Sequence, residues 1–274
     1  VTFIAPDDGN ASDHTVATVP LPSPVEPNGV AAIDVEWTAT VPRTFARTGY
    51  RGDYYFIGQW FPKVGVLEDQ GWNVHQFHAG TEFYADYGVY DVRIVTPTRF
   101  VVGATGVETS TTPQPGGTTE HHFHAEDVHD FAWVASPRLV VRDRQADVPG
   151  LPPVRLRLFL QPDHVGQETR FFASASAALT AYGRWFGPYP YGQLTIVDAA
   201  YLSGSGGMEY PMLVTAGTRW LAPQAVAEVK YEDLGPAEEE IRLFRMALAG
   251  LAKQPAETFM TAASPGIIAT TLLN

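Results

Sequence analysis

The sequence contains no cysteine. That excludes disulfide scaffolds, zinc ribbons, iron–sulfur clusters and thiol nucleophiles. It leaves the compartment open, and an extracytoplasmic location is compatible with it. Positive charge is also scarce: 18 Lys and Arg stand against 30 Asp and Glu, a formal net charge of -12. A general nucleic-acid binder needs a basic field, so nucleic acid is not an expected partner. No run of about eighteen apolar residues occurs, so no span of a membrane is expected in this segment. Residues 1–10 lack a basic stretch followed by an apolar one, so no signal peptide is expected there either. There is no G-x-S-x-G, and Gly204-Ser205-Gly206-Gly207 has no lysine after it to meet a phosphate.

What is present is a chain of 274 residues that is 45% hydrophobic, enough to bury a core. The 25 Gly and 22 Pro predict many turns and much β structure. Along residues 30–41, Ile33, Val35, Trp37, Ala39 and Val41 alternate with Asp34, Glu36, Thr38 and Thr40. That period of two predicts a half-buried strand. Similar runs predict strands at 54–60, 89–96, 100–107, 118–125 and 131–135. After Pro149-Gly150 the pattern changes. A strand is predicted at 154–160, then Phe171, Ala175, Ala178, Leu179, Tyr182, Trp185 and Phe186 recur at helical spacing up to the breaker Gly187-Pro188. A strand follows at 193–199. A last helix is predicted from Pro236, with Glu238, Glu239 and Glu240 in its first turn and Ile241, Phe244, Leu248 and Leu251 as its stripe. The boundary between an all-β part, 1–150, and a mixed part, 151–274, is set at this change of period.

Histidines are the first chemical candidates. His121, His122 and His124 fall on one predicted strand with His129 nearby, and His122 and His124 share a face. Such a pair suits a metal only with a third ligand, and the plainer reading is a solvated hairpin. His75 and His78, three apart in an extended stretch, are expected to point to opposite faces. No metal ligands are assigned. The more informative segment is Tyr189-Pro190-Tyr191-Gly192-Gln193 to Asp198, followed by Gly206-Gly207-Met208-Glu209-Tyr210-Pro211. Glycines allow a ligand backbone to approach, a carboxylate beyond them meets a cation, and a strand edge pairs with an extended peptide. On residue physics alone the plainer reading, an ordinary strand–loop with a solvated glutamate, stands ahead.

This segment resembles the gluzincin zinc aminopeptidases, the family of aminopeptidase N. Gly206-Gly207-Met208-Glu209-Tyr210 looks like their G-x-M-E-N exopeptidase motif, with Tyr210 in place of Asn. Phe186-Gly187-Pro188-Tyr189-Pro190-Tyr191 resembles the lead-in. Phe61-Pro62, Gly71-Trp72, the run from Phe83 to Val92, and Asp130-Phe131-Ala132-Trp133 resemble the first domain of a bacterial branch. The resemblance implies an α+β chain: an all-β saddle or sandwich domain, 1–150, followed by part of a thermolysin-like mixed α/β catalytic domain, 151–274. It implies peptide substrates with a free amino terminus, whose ammonium Glu209 binds while the backbone of Gly206, Gly207 and Met208 holds the peptide along a strand edge.

The departure lies in the metal motif. The family holds zinc on H-E-x-x-H and a later glutamate, and no H-E-x-x-H occurs here. His164 is the last histidine, and Tyr231, the only tyrosine beyond Tyr210, has no matching context for an oxyanion-stabilising group. Zinc is thus expected of a complete family member, no catalytic residue is assigned in this chain, and the chain as written is expected to be inactive. The leading expectation is a piece of a zinc-dependent aminopeptidase that begins inside the β domain and ends within the peptidase domain. The alternative is a catalytically inactive peptide-binding or scaffold protein on the same fold.

Overall fold

The computed structural model describes residues 1–44, 47–78, 83–148, 150–217 and 242. In chain order the strands are β1 (Thr2–Ile4), β2 (Val16–Thr18), β3 (Gly49–Arg51), β4 (Tyr54–Ile57), β5 (Val66–Glu68), β6 (Gly71–Asn73), β7 (Gly88–Pro97), β8 (Val101–Ala104), β9 (Val107–Gln114), β10 (Thr118–Val128), β11 (Trp133–Ser136), β12 (Val140–Ala146) and β13 (Val154–Leu160). A 3-10 turn (Pro162–His164) and the helix α1 (Glu168–Trp185) follow, then β14 (Gln193–Asp198), β15 (Met208–Tyr210) and β16 (Leu213–Ala216).

Three sheets and the helix stack in layers. The outer sheet has the order β7-β10-β9, the middle one β3-β4-β11-β8, and the third β12-β13-β14-β16-β15. Alternation along each strand builds the layers. In β10, Thr119, His121, Phe123 and Ala125 are buried while their neighbours are half-exposed. Ile94 and Phe123 of the outer sheet meet Val102, Ala104 and Ala135 of the middle sheet. On the other side of the middle sheet, Tyr54, Phe56 and Val134 meet Phe159, Val197, Tyr210 and Leu213 of the third. The third sheet turns Leu156, Leu158, Leu160, Leu194 and Ile196 the other way, onto Phe171, Phe172, Ala175 and Leu179 of α1. The close approach of β8 to β13 needs Gly103. A Cβ there would lie 2.5 Å from Cζ of Phe159.

The fold-class expectation is overturned. Among the described residues the chain is mostly β, with sixteen strands and one α-helix, and the second half is not a substantial mixed α/β thermolysin-like domain. The physical reason is that the 3.6 period is sustained in the described second half only across α1. The opposite face of the third sheet is covered by another sheet, not by helices. That sheet also takes its first strand, β12, from before Pro149-Gly150. α1 is the crossover between parallel β13 and β14, the connection that parallel pairing demands. It ends at Trp185, Phe186 caps it, and Gly187 follows with φ +111. The helix expected from Pro236 falls, Arg242 apart, outside the described residues.

Residues 30–41 are a second correction. They are extended in sequence pattern but join no strand, and Val30, Ile33, Val35 and Trp37 are exposed. Period two shows which side chains share a face, but it does not supply the partner strand.

Candidate functional site

The segment Gly206-Gly207-Met208-Glu209-Tyr210 lies at the outer edge of the third sheet. Loop 199–207 leaves the C-terminal end of β14, β15 runs to a two-residue turn, and β16 returns between β15 and β14. Pro211 and Met212 make that turn, with Met212 at φ +61, a combination typical of type II turns. Glycine is usual at the second position, so methionine there is strained. Its side chain compensates by packing against Ala125 and Val128 of β10. β10 is bulged between Ala125 and Val128, which re-aims its end toward the turn. Tyr191 joins this contact and donates its hydroxyl to the carbonyl of Asp127 at 2.6 Å.

Glu209 is half-buried and stands opposite Val214, which packs on the helix side of the sheet. Cross-strand partners share a face, so Glu209 lies on the α1 side, while Met208 and Tyr210 point into the core shared with the middle sheet. Gly207 has φ +71, and its amide donates to the carbonyl of Thr215 at 3.0 Å; the amide of Met208 donates to Oγ1 of Thr215 at 2.9 Å. Gly206 and Gly207 are exposed. The structure thus brings Gly206, Gly207, Met208 and Glu209 together on one exposed bend and one edge strand.

A buried polar network supports that bend. The Tyr54 hydroxyl lies 3.1 Å from Oγ of Ser205, which lies 2.7 Å from Oγ of Ser203. All three residues are at most 1% exposed. Burial, opposed by the Ser205 hydrogen bond, pushes the Tyr54 hydroxyl pKa upward, so it stays protonated. At the root of the loop, Asp198 Oδ2 accepts from His164 Nδ1 at 2.6 Å and from the amide of Gln161 at 3.0 Å. Burial pushes the Asp198 carboxyl up, and the hydrogen bond and charge of His164 oppose it. Sequence reading missed Tyr54, Ser203 and Ser205 and gave Asp198 no role. Tyr54 and Ser205 are 151 positions apart, and no local pattern signals such a pair.

The histidines distribute differently from a metal cluster. His122 and His124 do share the outer face of β10, and both point at Asp91, with Nε2 of His122 and Nδ1 of His124 at 3.4 and 3.0 Å from its Oδ1. His124 also reaches Glu126 at 3.1 Å. His121 turns inward to Glu108 at 2.8 Å, and His129 meets the ring of Tyr87 edge-on. His75 and His78, expected on opposite faces, both reach Asp7, at 3.2 and 3.3 Å, because β6 ends at Asn73 and the chain beyond it is not a strand. Among the described residues no group of three His, Cys, Asp or Glu is arranged to hold a metal ion.

The Asp91–His124 contact makes a pH prediction. The hydrogen bonds to Asp91 and Glu126 raise the His124 pKa above its ordinary 6.5, and the bond from His124 holds Asp91 below its ordinary 3.8. The raised histidine contributes stability that is full below 6.5 and lost as pH rises through its folded value. The depressed aspartate contributes stability present above 3.8 and lost as pH falls through its folded value. Following the His124 ring by NMR across pH, Asp91→Asn is expected to move its midpoint back toward 6.5. An unmoved midpoint would remove Asp91 as the cause.

No family model matches the sequence, and no curated protein matches it. Among solved structures it is similar to the crystal structure of Legionella pneumophila aminopeptidase A in complex with aspartic acid. The TM-score is 0.42 and the identity 17%, over 47% of this chain. The chain spans 16% of that protein's length. A likeness this loose assigns no residue, and the site rests on its own geometry. Among the described residues no helix is long and apolar enough to cross a membrane.

Proposed function

We propose that this chain binds the amino-terminal end of peptides as part of an aminopeptidase, at the outer edge of β15. The carrying observation is the join between an exposed bend, Gly206-Gly207, and an edge strand that holds Glu209 half-buried on one face. An extended peptide added along β15 takes main-chain hydrogen bonds, as in other strand additions. The Glu209 carboxylate then meets the terminal ammonium, a charge-assisted contact that requires a free amino group. The family resemblance of the motif supports the same role for Glu209.

Zinc, the cofactor expected of a complete aminopeptidase of this kind, does not fit the residues described. His164 is the last histidine of the chain and lies buried against Asp198, and no three-ligand group is present among the described residues. No hydrolytic step is derived through these side chains. The same misfit favours a second reading, a peptide-binding protein without hydrolysis.

The test is calorimetric titration of the chain with a short peptide and its N-acetylated form. The free form is expected to bind more tightly, and Glu209→Gln to erase the difference. A charge-assisted hydrogen bond of about 1.5–3 kcal/mol corresponds to roughly ten- to more than a hundredfold in Kd. Equal affinity for the two forms in the unaltered chain would overturn the reading.

A further inference from the structure

We infer that residues 30–41 close onto the outer edge of β7 as an added strand, extending the outer sheet and covering the rim of the core beneath it. The segment has what a strand needs except a partner. Ile33, Val35 and Trp37 lie on one face and are 50%, 49% and 47% exposed, while Asp34, Glu36 and Thr38 alternate with them. An apolar face of this kind in water is a docking surface in search of cover.

The edge that fits it is β7. Among the described residues β7 is an outer strand of its sheet and runs for ten residues, close to the segment's own length. Its inward side chains belong to the core between the outer and middle sheets, yet Tyr90 and Val92 are only partly buried there, as are Trp60 and Phe61. A strand added at this edge sets Ile33, Val35 and Trp37 over those half-covered groups. A line of ring contacts already leads there. Trp37 meets Trp60 at 5.9 Å, Trp60 meets Phe61 at 5.2 Å, and Phe61 meets Tyr90 at 5.7 Å. The other edge of the sheet, β9, is exposed along nearly its whole length and offers no apolar rim. The outer strands β3 and β8 of the middle sheet have only three and four residues.

The tether selects this occupant over a second copy of the chain. Two residues past Val41, Arg43 bridges to Tyr50 of β3, so the segment is anchored beside the core it would cover. A short tether holds a segment at an effective concentration on the order of millimolar, far above a micromolar second copy. Closure also hides a long edge strand, which otherwise invites pairing with other chains.

Amide hydrogen exchange on the full chain tests this, at two protein concentrations. Closure predicts that amides of residues 31–41 exchange on the order of a hundredfold more slowly than open chain, equally at both concentrations. Val35→Pro is expected to abolish that protection and to speed exchange in β7, while α1 keeps its own. Should α1 show that the proline variant has not folded, Trp37→Ser, which leaves the backbone intact, is expected to weaken the same two sets together. Open-chain rates in residues 31–41 overturn the inference. So does protection that disappears on dilution, which marks a second copy, and so does protection lost with no change in β7, which marks a different edge.

Discussion

Asp198→Ala is expected to destabilise the fold by about 3–5 kcal/mol, the cost of breaking a buried charged or strongly hydrogen-bonded pair by removing one partner. Asp198 is fully buried and receives two donors on one oxygen, the His164 ring and the Gln161 amide. Gln161 also donates its side-chain amide to the Asp198 carbonyl at 3.0 Å. Truncation therefore strands a buried imidazole donor and a buried backbone donor together. The effect should appear as a lower urea midpoint with an unchanged slope. His164→Ala alone should cost less than the sum suggests, and the double variant should show a coupling of about 0.5–3 kcal/mol. A loss under about 1 kcal/mol for Asp198→Ala, or strict additivity, would show that the pair is not what holds this end of β14.

The consequence for the candidate site follows from chain order. Asp198 is the last residue of β14, and the bend that leads to Glu209 starts immediately after it. Apart from the bonds of Gly207 and Met208 to Thr215 within the same sheet, loosening this root leaves Tyr54, Ser205 and Ser203 to hold the bend. The two holds come from different parts of the chain, since Tyr54 belongs to the middle sheet and His164 to the turn before α1.

How much of this was legible in the sequence depends on the range of the interaction. Alternation in residues 89–96, 118–125 and 154–160 marked strands that are present as β7, β10 and β13, and the helical spacing from Phe171 to Trp185 marked α1. Those patterns are local, set by one buried face per element. Residues 30–41 carry an equally clear alternation and form no strand, because pairing depends on a partner that periodicity does not name. His75 and His78 converge on Asp7 for the converse reason: the strand geometry assumed for them ends at Asn73. At the candidate site, the glycines and the glutamate could be read from sequence. The supports could not be read. Tyr54, Ser205 and Asp198 matter through partners 34 to 151 positions away.

Tyr210→Ala is expected to cost about 3–5 kcal/mol, the range for deleting a large buried aromatic side chain. The ring is 4% exposed, lies 6.0 Å from that of Phe56 and shares a core with Phe159, Val197 and Leu213. Met208 leans on the same core, so the loss should also release β15 and weaken peptide binding at Glu209. Tyr210→Phe keeps the ring and should spare that binding. Gly58 makes the test sharper. A Cβ at Gly58 would stand 2.5 Å from the Tyr210 hydroxyl oxygen and 3.1 Å from Cζ. Gly58→Ala therefore overpacks the site and should cost about 1–3 kcal/mol in the unaltered chain. In the Tyr210→Phe background the nearest clashing atom is gone, so the same glycine change should cost at least about 0.5 kcal/mol less. Equal costs in the two backgrounds would mean that the hydroxyl does not sit over Gly58, and the packing that fixes β15 against the middle sheet would need another explanation.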